Sequence, residues 1–127
     1  MSITWVSYLY VALGGALGAS LRLFTNSIVT NLLGKGFPFA TLSVNVVGSF
    51  FLGIAYAWFL HNTQANSDIK LFVMVGFFGA LTTFSTFSME VFLQMQQGEW
   101  LKAGLTVILN VCLCLLAVWC AMTIMKG

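Results

Sequence analysis

Four stretches of this chain carry no charged residue: Met1 to Leu21, Gly36 to Leu60, Leu71 to Met89 and Ala103 to Met125. Each is close to the roughly 20 apolar residues that a helix needs to cross a bilayer. The whole chain is 60% hydrophobic and 6% charged, whereas soluble domains carry about one quarter charged residues. That much apolar surface cannot be hidden from water in 127 residues, so the chain is expected to be an all-α membrane protein with four transmembrane helices. The spans are placed at about 4–32, 38–61, 69–96 and 100–125, in a single domain covering 1–127. Polar connections fall at Gly34-Lys35-Gly36, at His61 to Asp68 and at Gln96-Gln97-Gly98-Glu99. The first stretch lacks a basic start and exceeds a signal-peptide core, so it is expected to stay as a span.

Several functions are excluded early. The net charge of +2 comes from single, scattered residues, which leaves no basic patch to hold nucleic acid. Cys112, Cys114 and Cys120 share one apolar stretch with no matching Cys/His spacing elsewhere, so neither a disulfide framework nor a zinc site is expected. The lone His61 lies in a connection, and no nucleophile stands with a base, so an enzyme is not expected.

An even number of spans puts Lys70 and Lys126 on one side and Lys35 and Lys102 on the other. Arg22, within the first span, can snorkel toward the Lys35 side. Orientation by positive charge is therefore weakly specified. A chain of this kind can insert both ways and pair with an inverted copy, although small biases can also select one orientation. Gly14 and Gly18, one turn apart in the first span, read as a close helix-packing site.

The third span carries the unusual chemistry. From Gly76 to Glu90 it runs Gly-Phe-Phe-Gly-Ala-Leu-Thr-Thr-Phe-Ser-Thr-Phe-Ser-Met-Glu. Gly79 and the adjacent β-branched Thr82 and Thr83 weaken a helix, and hydroxyls compete for its carbonyls, so a break is expected near 79–83. Irregular backbone at membrane depth must be buried in protein or line a wet cavity, and freed carbonyls there suit a desolvated monovalent cation. Phe84 and Phe87 share a helix face, each followed by a hydroxyl, Ser85 and Ser88. Such a pair is ordinarily packing, but a ring edge is electropositive and can receive an anion. Thr41, Asn45 and Ser49 form a polar stripe on the second span, and Thr106, Asn110 and Cys114 form one on the fourth. Asn45 can glue helices together or face a path. Two stripes of neutral donors suggest a narrow route that strips an anion's water without trapping it.

Three segments resemble the Fluc/CrcB fluoride channels: Gly-Gly-Ala-Leu-Gly-Ala-Ser-Leu-Arg from Gly14, Thr-Leu-Ser-Val-Asn-Val-Val-Gly-Ser-Phe from Thr41, and Gly-Ala-Leu-Thr-Thr-Phe-Ser-Thr-Phe-Ser-Met-Glu from Gly79. The resemblance covers essentially the whole chain. It implies an antiparallel, dual-topology homodimer in the cell inner membrane, passive fluoride efflux through two pores, and a structural sodium ion at the dimer interface. Carried over by position, Phe84 and Phe87 contact fluoride through ring edges, Asn45 donates to it, and Thr41 lines the path. Ser85, Ser88, Thr106 and Asn110 join that path, and Arg22 lies near an entrance vestibule. The backbone carbonyls of Gly79 and Thr82 hold the sodium. Thr106, Asn110 and Cys114 depart from the Tyr and Ser of the family's polar track. Glu90 matches an acidic position and is expected to be hydrogen-bonded or at a pore end. Two rivals remain: a small multidrug-type proton-coupled transporter, which needs an embedded carboxylate that the first span lacks, and a structural subunit without transport.

Overall fold

A computed structural model describes residues 2–126. It is all-helical there, with four helical stretches long and apolar enough to cross a membrane: Trp5–Leu33, Phe39–His61, Ser67–Gln96 and Trp100–Lys126. The first is α1 (Trp5–Leu33), the second α2 (Phe39–His61) and the last α6 (Trp100–Lys126). The third span is composite. It opens with α3 (Ser67–Leu71), widens into π turns over Phe72–Phe78, resumes as α4 (Gly79–Leu81), breaks, and continues as α5 (Ser85–Gln96).

Local chemistry sets the ends. Ser7 Oγ accepts from the Thr4 N–H at 3.1 Å, capping α1, and donates to Asp68 Oδ1 at 2.7 Å, which ties the start of α1 to that of α3. Gly34 terminates α1 at a φ of 78°, a left-handed conformation that favours glycine, with its N–H returned to Thr30 O at 2.9 Å. Asn66 Oδ1 caps α3 through the Asp68 N–H at 2.7 Å.

The principal packing pairs are α1 against the third span and α2 against α6. Small residues allow both. A Cβ at Gly14 or Gly18 would collide with the carbonyls of Phe72 or Phe77, and one at Gly76 would strike Val11 O. Backbone therefore meets backbone where α1 crosses the π turns, the close approach that Gly permits. Between α2 and α6, Gly53 faces the fully buried Ala121. With little hydrophobic drive between helices in lipid, such contacts supply dispersion and exclude lipid chains. The remaining buried side chains are mostly small or polar, among them Ala40, Thr41, Asn45, Ala57, Ala103, Thr106 and Asn110, while most large apolar residues face outward, Phe59, Leu81 and Phe87 excepted.

Candidate functional site

The break is made by Thr82, whose extended backbone (φ −85°, ψ 158°) ends α4. Its N–H and its hydroxyl both donate to Phe78 O, at 3.1 and 2.9 Å. The Thr83 N–H leaves the helical ladder and donates to Asn45 Oδ1 at 2.7 Å, and Asn45 Nδ2 donates back to Thr83 O at 3.0 Å. One side-chain amide on α2 thus satisfies both backbone groups of the residue at the break. Thr83 Oγ1 then accepts from the Thr86 N–H at 3.1 Å and restarts the helix as a hydroxyl cap. In a continuous helix the amides of Thr83 and Thr86 would bond the carbonyls of Gly79 and Thr82; here those carbonyls accept from neither. Arg22 Nε on α1 donates to a third carbonyl beside the break, Ala80 O, at 2.9 Å.

Two clefts flank this break. The first, a cavity of about 240 Å³, is lined by Arg22, Asn26, Thr41, Thr83, Thr86 and Glu90, among others. It adjoins a second cavity of about 370 Å³ that shares Asn26 and Glu90 and reaches Lys35, Gln94 and Lys102 near the α1–α2 connection. Glu90 Oε2 accepts from Thr41 Oγ1 at 2.7 Å, so the carboxylate is hydrogen-bonded, while its Oε1 and the Oε1 of Gln94 one turn on are buried without a partner.

The second cleft, on the other side of Thr83, is an aromatic groove of about 330 Å³. Phe84, Phe87, Asn45, Ser49, Thr82, Thr83, Asn110 and Cys114 line it. The two rings meet edge-on, with centroids 5.3 Å apart and planes at 67°. Phe87 is 8% exposed and Phe84 77%, so one ring is anchored and the other stands on the outer surface of the chain. Asn45 Nδ2 also donates to Asn110 Oδ1 at 3.0 Å, and Asn110 Nδ2 donates to Thr106 O at 2.9 Å.

The expected site residues are therefore distributed unequally. Asn45, Phe84, Phe87 and Asn110 meet in the groove. Thr41 and Arg22 lie in the first cleft instead. Thr106, one turn before Asn110, is fully buried and does not line the groove, its hydroxyl donating to Lys102 O at 2.8 Å. Ser85 and Ser88 are exposed beside Phe84; Ser88 Oγ donates to Phe84 O at 2.9 Å. Sequence reasoning missed Asn26 and Gln94, although each follows a recognised polar residue, Arg22 or Glu90, by four positions and so shares its helix face.

Residues 9–122 match the family described as "CrcB-like protein, Camphor Resistance (CrcB)". The chain belongs to the CrcB family. Among its relatives, a protein of Pseudoalteromonas translucida is 50% identical over 109 residues, covering 86% of this chain and 91% of its own length. One from Shewanella denitrificans is 52% identical over 111 residues, covering 87% and 89%. One from Vibrio vulnificus is 48% identical over 118 residues, covering 93% and 94%. All three relatives are named "Fluoride-specific ion channel FluC". As a CrcB-family chain with four spanning helices, this is a multi-pass membrane protein.

Proposed function

We propose that the chain conducts fluoride passively across the cell inner membrane and so lowers cytoplasmic fluoride, as a homodimer of two oppositely oriented copies embedded in lipid. The observation that carries this reading is the aromatic groove beside the Asn45–Thr83 clamp, in a chain whose relatives bear the fluoride-channel name. Small, hard fluoride holds its water tightly, so a path must replace that water with donors. The ring edges of Phe84 and Phe87 offer positive potential without a full charge; Asn110 in the groove and the exposed hydroxyls of Ser85 and Ser88 beside Phe84 continue the route, and Thr41 lines its approach in the other cleft, whereas Thr106 is too deeply buried to line it. Arg22, in the outer cleft, raises the local anion concentration at a vestibule. Ions bound only by neutral groups can leave again, which conduction requires. The proton-coupled transporter rival gains no support, because the relatives are named as channels.

What a single chain leaves bare supports the dimer. Phe84, Ser85 and Ser88 are exposed at the middle of a span, and hydroxyls and broken backbone facing lipid would be costly. A second copy, inverted because the lysines are balanced at the two ends, would cover them. The same pairing would set the Gly79 and Thr82 carbonyls of both copies face to face. Their amide partners are diverted to Asn45 and to Thr83 Oγ1, so these oxygens fit a monovalent cation, here sodium, which would pin the two breaks together.

The test is fluoride efflux from liposomes holding the purified protein, read with a fluoride electrode. Fluoride should leave without any proton gradient and chloride should stay behind. Fluoride retention equal to that of protein-free liposomes, or chloride efflux at a comparable rate, rejects the reading.

A further inference from the structure

Arg22, Asn26 and Thr30 stand at four-residue steps on α1 and so share one face of that helix. Arg22 lines the cavity of about 240 Å³ and Thr30 the cavity of about 370 Å³, while Asn26 lines both. Two other residues also line both, Ala40 of α2 and Glu90 of α5. The three come from three different helices, so they frame a neck where one cavity passes into the other. An ion travelling from the Lys35 and Lys102 end toward Arg22 and Thr83 crosses it.

The neck residues differ in what they can offer such an ion. Ala40 is buried and has no polar side-chain atom. Glu90 spends Oε2 on the Thr41 hydroxyl, and its Oε1 is buried out of reach of solvent. Asn26 is exposed, and among the described residues its amide enters no hydrogen bond. Both hydrogens of that amide are therefore free.

We infer that Asn26 is the residue that meets fluoride at this neck, its amide N–H replacing water that the ion sheds between the lysine-lined outer cavity and the inner one. This rests on the fluoride-channel reading and deepens it by adding a contact on the first span. A neutral donor suits a point of transit, since it substitutes for lost hydration without holding the ion as a full charge would. A carboxylate of the same shape would present only acceptor oxygens and a negative charge to the anion.

The test compares Asn26→Gln, Asn26→Ala and Asn26→Asp in proteoliposomes, reading the fluoride concentration that half-saturates efflux. Glutamine keeps the amide and should stay within about threefold of wild type, whereas alanine should raise half-saturation about tenfold, the lower end of the worth of one hydrogen bond to a charged group. Aspartate removes the donor and adds repulsion, and should raise it about 100-fold. Because Asn26 makes no bond within the chain, alanine should leave folding intact, which elution as wild type on size-exclusion chromatography checks. Alanine within about twofold of wild type overturns the inference. Glutamine no better than alanine overturns it too, by marking a packing role, and so does aspartate no worse than alanine, which would place position 26 away from the ion. Should the aspartate variant fail to insert, alanine and glutamine decide by the same criteria. A wild-type protein that carries no fluoride would remove the reading beneath as well, and that outcome shows without any substitution.

Discussion

The two clefts on either side of Thr83 differ in kind although one residue lines both. The outer one holds two ionisable side chains, Arg22 and Glu90, and continues toward Lys35 and Lys102. The aromatic groove holds no charged residue. Charge serves an approach, where it gathers ions from solution, and hinders a narrow passage, where it would hold an ion too long or repel it. The break lets one chain place the two environments back to back, because Asn45 clamps Thr83 at the wall between them.

The sharpest way to break this contrast is Asn45→Leu. It strips partners from both the N–H and the C=O of Thr83, at about 1–3 kcal/mol for each buried orphan, so thermal stability in detergent should fall by several kcal/mol and conduction should vanish. Wild-type stability would mean that the wall does not depend on Asn45. Next in size, Phe84→Ile removes a positive ring edge from the groove alone. Fluoride efflux should drop by about tenfold while the protein stays assembled, as size-exclusion chromatography would confirm; unchanged efflux would detach that ring from the path. On the other side of the wall, Arg22→Gln should slow efflux only a few-fold, and only at low ionic strength, since the attraction of an outer charge is screened by salt. A loss equal at high and low salt would place Arg22 in the narrow part instead. Smallest of all, Lys102→Gln disrupts an i,i+3 ion pair with Glu99 at 2.6 Å, partly exposed near the outer cleft, and should shift stability by less than about 1 kcal/mol in a thermal melt.

The same contrast governs how much could be read from sequence. Span number follows from local composition, as does the position of the break, where Gly79, Thr82 and Thr83 weaken a helix regardless of what surrounds them. The relay from Thr83 through Asn45 and Asn110 joins residues 38 and 65 positions apart, and no local period records which partner an amide will choose. Asn45 and Asn110 were recognisable as members of polar stripes, but which groups each amide bonds is decided by a geometry that only the fold supplies. Thr106 illustrates the limit from the other direction: its spacing set it on the Asn110 face, yet its hydroxyl turns back to its own helix at Lys102 O. The π turns of Phe72–Phe78 were equally invisible. They sit where Gly14 and Gly18 let α1 press against that backbone, a partner lying more than fifty residues away.

The interleaved pairing of spans bears on how the molecule is made. The first span's main partner is the third, and the second span's is the fourth. Spans enter a membrane in the order of synthesis, so neither of the first two meets its chief neighbour until most of the chain has been translated. The nascent intermediate must wait in lipid with glycine-notched and amide-bearing faces unmatched. Release of a truncated two-span product would leave it without either docking partner, an orphan suited to quality-control proteolysis.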